Sequence, residues 1–420
     1  MTSDQECYVY IQLPGTLEVV TCGRYVRQEL RDGTAVGRFV YGRSYRDRRD
    51  AVEVDPYHLP LSPNEHLTAK LGGVFGALRD GAPDAWGRYV IQRFAGRADL
   101  GEVDYLLQSP EDRAGALSFG RSVIPPGPTP TFNRIIRLGE LRNAAWILEE
   151  DRDDEILPQI EQLVDPRTSM GGARPKNVVE DDEGLWIAKF PSLKDRWDNA
   201  AVEAAMLSLA GLCGIRVPET RIEPFLGESI LLVRRFDRER VSGGYHRHRM
   251  ASALTVLDAE DSGTDRANWS YVLFADELKR WSSHPDEDRP ELFRRMAFNA
   301  LVSNLDDHPR NHAVLAAGRD WRLAPAYDIT PSPVQSVTRH LALVCGTEGR
   351  VARRSNLVSQ AARFGLGVDD AGAIIDEMKK TVAARWENEV ARHGGSARDR
   401  DRISPAILAE GFEHAAGPGA

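Results

Sequence analysis

The sequence predicts an α+β fold with a β-rich N-terminal region and a mainly helical C-terminal part. Three observations carry this. Short runs of β-formers punctuated by turn residues open the chain, a second pair of such runs spans Lys176–Phe190, and from Ala251 onward apolar residues recur mainly at helical spacing. With 420 residues, 42% of them hydrophobic, the chain can bury a large core in two or three domains.

Cys7–Ile11 and Leu17–Cys22, separated by Pro14-Gly15, read as an opening hairpin, with Thr34–Tyr41 and Ala51–Val54 as further short strands. Leu67–Phe94 has a helical habit, with a helix start at Ala82-Pro83-Asp84 where Asp84 can cap. Leu117 and Phe119 end this region, and the proline-rich Ile124–Pro130 is the expected linker. Leu138–Glu150 reads as a helix, followed by an acidic run to Glu155. Asp195–Leu212 is helical with Ala200, Ala204, Leu207 and Gly211 inward, and Leu231–Phe236 is a strand-like run. Ser270–Trp281, Glu291–Ser303 and Asp369–Arg392 are the clearest later helices. No internal repeat is visible, and the expected organisation is 1–124, 131–240, 241–412 and a disordered tail 413–420.

The net charge of −9 argues against a general polyanion binder, and Arg43–Arg49 reads as a solvated loop. Cys7, Cys22, Cys213 and Cys345 form no Cys-x-x-Cys pair, which points to a reduced, cytoplasmic protein without structural zinc. No run reaches the length of a membrane span, and MTSDQECYVY has no signal-peptide character.

Chemistry concentrates in Phe293–Asp328. Phe293, Met296, Ala297, Ala300 and Leu301 form one helical face, and Asn304, Asp306, Asp307, His308, Arg310, Asn311 and His312 then crowd into a loop that Pro309 keeps from continuing the helix. His312–Ala316 and Trp321–Leu323 flank a four-residue turn, so Asn311 is expected across from residue 326 with Asp328 nearby. Asp306, Asn311 and Asp328 then offer oxygen ligands of the kind magnesium takes, and one carboxylate spare for use as a base. This order is that of protein-kinase catalytic and metal loops. An Asp/Asn-rich turn after a helix has the same composition, and the loop alone leaves both readings open.

Upstream, Arg167–Lys176 contains Gly171-Gly172, whose amides can form an anion nest. Lys176–Glu180 and Leu185–Phe190 read as strands joined by Asp181–Gly184, which sets Lys176 directly opposite Lys189. Two such ammonium groups repel by ~4 kcal/mol at 4 Å in a partly buried site, and an anion between them removes the conflict. The chain has only seven lysines, so two at one proposed phosphate site is a notable share, although snorkelling strand lysines are the plain alternative. Glu203 borders the inward face of its helix, placed to pair with a strand lysine.

Ser169-x-Gly-Gly-Ala-x-x-Lys176, Ile187-Ala-Lys189-Phe-Pro191, Arg234-Arg-Phe236-Asp237-Arg238, Asp306-Asp-His308-x-x-Asn311 and Tyr327-Asp328-Ile329 together resemble the HipA family of serine/threonine kinase toxins from bacterial toxin–antitoxin systems. The N-terminal β region and Asp112–Leu117 also look like that family's N-terminal subdomain. The resemblance implies a two-lobed protein-kinase-like fold with ATP between the lobes. It assigns phosphate contacts to Gly171, Gly172, Ala173, Arg174, Pro175 and Lys176, the α/β-phosphates to Lys189, and the adenine to Arg234, Arg235 and Phe236. Asp306 becomes the catalytic base, Asn311 and Asp328 hold Mg2+, and His308, Pro309, Arg310, Asn311 and Tyr327 line the ATP site. Ser169 matches the family's autophosphorylated serine, where a phosphate adds nearly two negative charges. Arg310, Arg234 and Arg174-Pro175 depart from better-known members without touching the proposed chemistry.

The implied activity is ATP- and Mg2+-dependent phosphorylation of a protein hydroxyl, on an aminoacyl-tRNA synthetase or another translation component. The implied partner is a helix-turn-helix HipB-like antitoxin, with DNA reached only through it and no membrane. The alternative is a non-catalytic, antitoxin-binding co-repressor protein. A hydrolytic metal site of Asp306, His308 and His312 is disfavoured because Pro309 interrupts the helix it would need.

Overall fold

The computed structural model describes residues 5–97, 99–108, 112–126, 132–149, 174–225, 227–261 and 266–413. The chain forms two compact units, each discontinuous in sequence: Met1–Leu193 with Arg234–Thr255 and Leu315–Trp321, and Lys194–Val233 with Val256–Val314 and Arg322–Ala420.

Strands β1 (Gln5–Gln12) and β2 (Val19–Glu29) pair antiparallel about Pro14-Gly15, as the two β-rich runs predict, with a register shift between Val9 and Tyr10. β2 pairs with β3 (Ala35–Tyr41). The one-turn helix α1 (Arg43–Arg46) follows β3, and β4 (His66–Thr68) pairs with β3. Ala51–Val54 is not a strand. Its backbone is satisfied by side chains instead: the Tyr45 hydroxyl accepts from Val52 N and the Tyr41 hydroxyl from Val54 N.

Leu67–Phe94 contains the expected helix start at Asp84. Gly72 and Gly73, at φ +64° and +83°, precede the helical part, which is divided between α2 (Gly76–Asp80) and α3 (Ala85–Ala95). Asp84 does cap α3, accepting from Gly87 N at 2.8 Å. After α4 (Glu102–Gln108), β5 (Leu117–Gly120) completes a sheet in the order β4-β3-β2-β1-β5. Val9, Ile11, Phe39, Tyr41, Leu78 and Phe119 are among the side chains of its core.

β6 (Asn133–Arg134) and helix α5 (Leu138–Glu149) precede β7 (Lys176–Glu180), which pairs parallel with β6 and antiparallel with β8 (Leu185–Lys189). Helix α6 (Asn199–Leu212) starts later than Asp195 because Asp198 is extended and acts as its cap, accepting from Ala201 N. β9 (Thr220–Phe225) and β10 (Glu228–Arg234) form a hairpin, and β11 (Arg238–Val241) pairs with β12 (Gly244–Arg247).

Then come β13 (Arg249–Ser252), α7 (Ala253–Val256), α8 (Tyr271–Trp281) capped by Ser270, and α9 (Pro285–Leu301). α9 begins six residues before the predicted Glu291, because Pro285 suits a first helical turn and Asp286, Glu287 and Asp288 complement its dipole. Its predicted inner face, including Phe293, Met296 and Leu301, is buried. β14 (Ala313–Ala316), β15 (Trp321–Leu323), α10 (Arg354–Val358), α11 (Val368–Arg392) and α12 (Ala397–Ile403) complete the order. α6 packs on α11, with Ser208 Oγ donating to Glu389 at 2.8 Å.

This is the expected α+β class, β-rich towards the N-terminus and mainly helical towards the C-terminus. All four cysteines are free and buried, and burial pushes the thiols of Cys7, Cys213 and Cys345 up to about 12. Among the described residues no helix is long and apolar enough to cross a membrane.

Candidate active site

The first group of predicted residues lies on β7, β8 and the segment after β10. Asp181 shapes the turn between β7 and β8: its Oδ1 accepts from Glu183 N, Gly184 N and Trp186 Nε1 at 2.9–3.0 Å. The turn fixes the register, and Lys176 pairs directly opposite Lys189 as the sequence predicts. The charge balance differs from expectation, however. The buried Lys176 ammonium lies 3.7 Å from the Asp84 carboxylate at the head of α3, so its charge meets one supplied by the chain itself. Pro175 accepts from Phe190 N at 3.0 Å, which extends the ladder toward Arg174. Gly171, Gly172, Ala173 and Ser169 lie outside the described residues.

The Arg234 guanidinium lies 5.5 Å from the centre of the Trp186 ring and donates to the Glu183 carbonyl. Arg235 is used differently from the expectation. Its side chain is fully buried, pairs with Asp237 at 2.8 Å, and donates to the carbonyls of Asp112 and Arg113. Any nucleotide contact from Arg235 therefore falls to its main chain. Asp237 also accepts from Gly115 N at 2.9 Å and from Arg238 at 2.7 Å. Burial alone would raise the Asp237 carboxyl, but Arg235 and Arg238 outweigh it and hold the group well below the usual carboxylate range. Phe236 is half-buried beside this cluster.

The second group lies after α9. The helix ends at Leu301, Ser303 takes φ +51°, and the loop closes in a 3-10 turn over Pro309–Asn311. Asp306 is exposed and Asn311 is buried, and among the described residues no hydrogen bond reaches the Asp306 carboxylate or the Asn311 carboxamide. Asp307, next to Asp306, is instead buried and bonded to Tyr271 and His312. Ala324 N donates to the Ala313 carbonyl at 2.8 Å, the register predicted for a turn centred on residues 318 and 319.

The same register brings the Asp328 segment to the loop, where the Tyr327 hydroxyl donates to the Arg310 carbonyl at 2.7 Å. Tyr327 and Arg310 are thus tied together, and Asp328 adopts φ +60°, a left-handed backbone uncommon outside glycine. Arg310 pairs with Asp261 at 2.5 Å. Pro309 is buried at the start of the turn and His308 is half-buried.

The donor set offered by Asn311 and Asp328 is an amide and a carboxylate oxygen, which fits magnesium, an ion that takes few protein ligands. The hydrolytic reading is not supported. His312 Nε2 faces Asp307 at 2.7 Å, and no group of three or more His, Cys, Asp or Glu able to hold a metal is found among the described residues. Sequence reasoning gave no role to Asp307, Tyr271, Asn299 or His312 in a shared network; Asp307 and His312 stood in the polar cluster, but nothing marked Tyr271 or Asn299.

The model of the HipA-like C-terminal domain matches residues 168–386, a span that holds Lys176, Lys189, Asp306, Asn311 and Asp328. "Putative kinase Y4mE" of Sinorhizobium fredii is 28% identical over 147 residues, covering 34% of this chain and 33% of that protein. "Putative kinase Y4dM" of the same organism is 27% identical over 165 residues, covering 36% and 38%. The match thus spans little more than a third of the length of these curated relatives. HipA, from the solved Shewanella oneidensis MR-1 complex of HipA, HipB and operator DNA, superposes with a TM-score of 0.67 at 17% identity, over 94% of this chain and 95% of that one. That likeness shows the fold. Because the family match takes in more than half of the sequence, the chain belongs to the HipA family.

Proposed function

We propose that the protein is an ATP- and Mg2+-dependent serine/threonine protein kinase of the HipA type. The observation that carries the reading is the loop after α9, which presents an exposed carboxylate, Asp306, and a buried amide, Asn311, each left without a hydrogen bond among the described residues. Neither group is committed to another described side chain, so both remain able to take a ligand. Asp306 is assigned as the base that orients and deprotonates a substrate hydroxyl, help worth about 10²–10⁴ in rate. Asn311 and Asp328 are assigned to the ion, and Lys189 with Lys176 to the phosphates. When bound, Mg2+ neutralises charge on the transferring phosphoryl group.

The substrate class, by family resemblance, is a translation protein such as an aminoacyl-tRNA synthetase, with Ser169 or the adjacent Thr168 as an autophosphorylation site. The partner we infer is a helix-turn-helix antitoxin, since the Shewanella relative was solved with HipB and operator DNA.

The test is Asp306→Gln. The variant is expected to bind ATP with parental affinity and to transfer no γ-phosphate from labelled ATP in the presence of Mg2+. Near-normal autophosphorylation by the variant overturns the assignment of Asp306, and absence of transfer by the parent favours the non-catalytic co-repressor reading. Phosphoproteomics of cells expressing parent or variant then identifies the acceptor.

A further inference from the structure

The loop that carries Asp306 and Asn311 is held by a buried contact between the residues that follow them. Asp307 immediately follows Asp306, and His312 immediately follows Asn311; the two inner residues are bonded to one another, His312 Nε2 to Asp307 Oδ2 at 2.7 Å. Their predecessors, the exposed Asp306 and the buried Asn311, have no side-chain hydrogen bond among the described residues. One buried contact thus joins the neighbours of the proposed base and of the proposed ion-binding amide.

The contact is itself held from α8 and α9. The Tyr271 hydroxyl donates to the same Asp307 oxygen, and Asn299 Nδ2 donates to the Tyr271 hydroxyl at 3.1 Å. Asn304 N and Nδ2 close the chain of bonds by donating to Asn299 O at 2.8 Å and Oδ1 at 3.2 Å. Tyr271 also meets the His312 ring edge-on, with ring centres 5.5 Å apart. Burial, and then the adjacent Asp307 carboxylate, hold the Tyr271 phenol far above its usual range, so it remains a donor. His312 Nδ1 is buried and has no hydrogen-bond partner among the described residues, so the ring is held through Nε2, 2.7 Å from Asp307 Oδ2. Every polar group of this network is buried, so a carboxylate lost from its centre cannot be replaced by solvent.

We propose that Asp307 and His312, braced by Tyr271, form an internal strut that positions Asp306 and Asn311; they are positioning residues and touch neither nucleotide nor substrate. This rests on the kinase reading. Outer partners of this kind are typically worth about 10–100-fold in metal affinity or activity.

The experiment uses the full chain with His312→Ala, His312→Gln, Asp307→Asn and Tyr271→Phe, and measures melting temperature, ATP affinity with and without Mg2+, and transfer rate. His312→Ala and Asp307→Asn are expected to lower the rate by about 10–100-fold. They should also abolish most of the gain in ATP affinity conferred by Mg2+, while affinity without Mg2+ stays at the parental value. His312→Gln, which retains a donor, recovers part of both. Folded variants that melt lower yet keep the parental rate and the parental Mg2+ response show a packing role only and overturn the strut. If Asp307→Asn does not fold, Tyr271→Phe removes one bond from the same carboxylate and is expected to show a smaller loss in both readouts; a parental response there overturns the proposal. A parent that neither transfers phosphate nor gains ATP affinity with Mg2+ removes the kinase reading itself, a result separable from variants that match an active parent.

Discussion

The ammonium of Lys176 lies 3.7 Å from the carboxylate of Asp84, and both side chains are almost wholly buried. Asp84 therefore has two duties, capping α3 and neutralising a lysine assigned to phosphate. Asp84→Asn keeps a good capping oxygen and removes the charge. Removing one partner of a buried pair costs about 3–5 kcal/mol. We expect the variant to melt lower than the parent, and ATP to raise its melting temperature by more than it raises the parent's, because phosphate then supplies the missing charge. Equal ATP-induced shifts in the two proteins would count against phosphate binding at Lys176.

Asp237 predicts a pH dependence. A carboxyl whose folded-state pKa is depressed contributes stability that is fully present above its unfolded value of about 3.9 and is lost as pH falls through the folded value. Asp288, buried but held low by Arg322, Leu323 N, Ser282 and Arg216, acts with the same sign. The parent should therefore lose stability to urea as pH is taken from 6 to 3. Asp237→Asn should start about 3–5 kcal/mol lower and lose less over that range. A variant whose stability falls as steeply as the parent's would show that Asp237 does not carry this dependence.

Tyr41 predicts a local effect. Its hydroxyl accepts from Val54 N at 2.8 Å and donates to the Leu59 carbonyl at 2.5 Å. Tyr41→Phe leaves both groups buried and unmatched, at a cost of about 1–3 kcal/mol. Hydrogen exchange should accelerate at Val54 and its neighbours before it changes in β1 and β2. Uniform acceleration across the sheet would show that the hydroxyl supports the whole module and not this segment.

Local chemistry made much of this legible in advance. Pro14-Gly15 placed the first hairpin, Asp181–Gly184 fixed the Lys176–Lys189 register, Asp84 marked a helix start, and α11 ends at Arg392 as its periodicity implied. Misreadings arose where distant groups decide. Ala51–Val54 has strand composition, but tyrosine hydroxyls take the hydrogen bonds that a neighbouring strand would have offered. The start of α9 was readable from Pro285 and three acidic residues; Pro290 within the helix obscured it. In the candidate site, Asp306 and Asp307 are chemically identical in sequence. Only the positions of Tyr271 and His312, 36 residues before and 5 after Asp307, separate the exposed carboxylate from the committed one. Arg235 is likewise expected at the adenine, and only Asp112 and Arg113, over a hundred residues away in sequence, show that its side chain is engaged by their carbonyls.

The interleaving of the two compact units bears on how the protein is made. The chain passes from one unit to the other five times, and the first unit receives its last segment only at Leu315–Trp321. Ribosomes add about 5–20 residues per second, so the strands synthesised first wait many seconds for the residues that complete their unit. Arg249, for example, must wait for the Gly318 carbonyl to which it donates at 2.6 Å. The first unit is incomplete until Trp321 has been synthesised, and a product truncated before Leu315 lacks a segment of each.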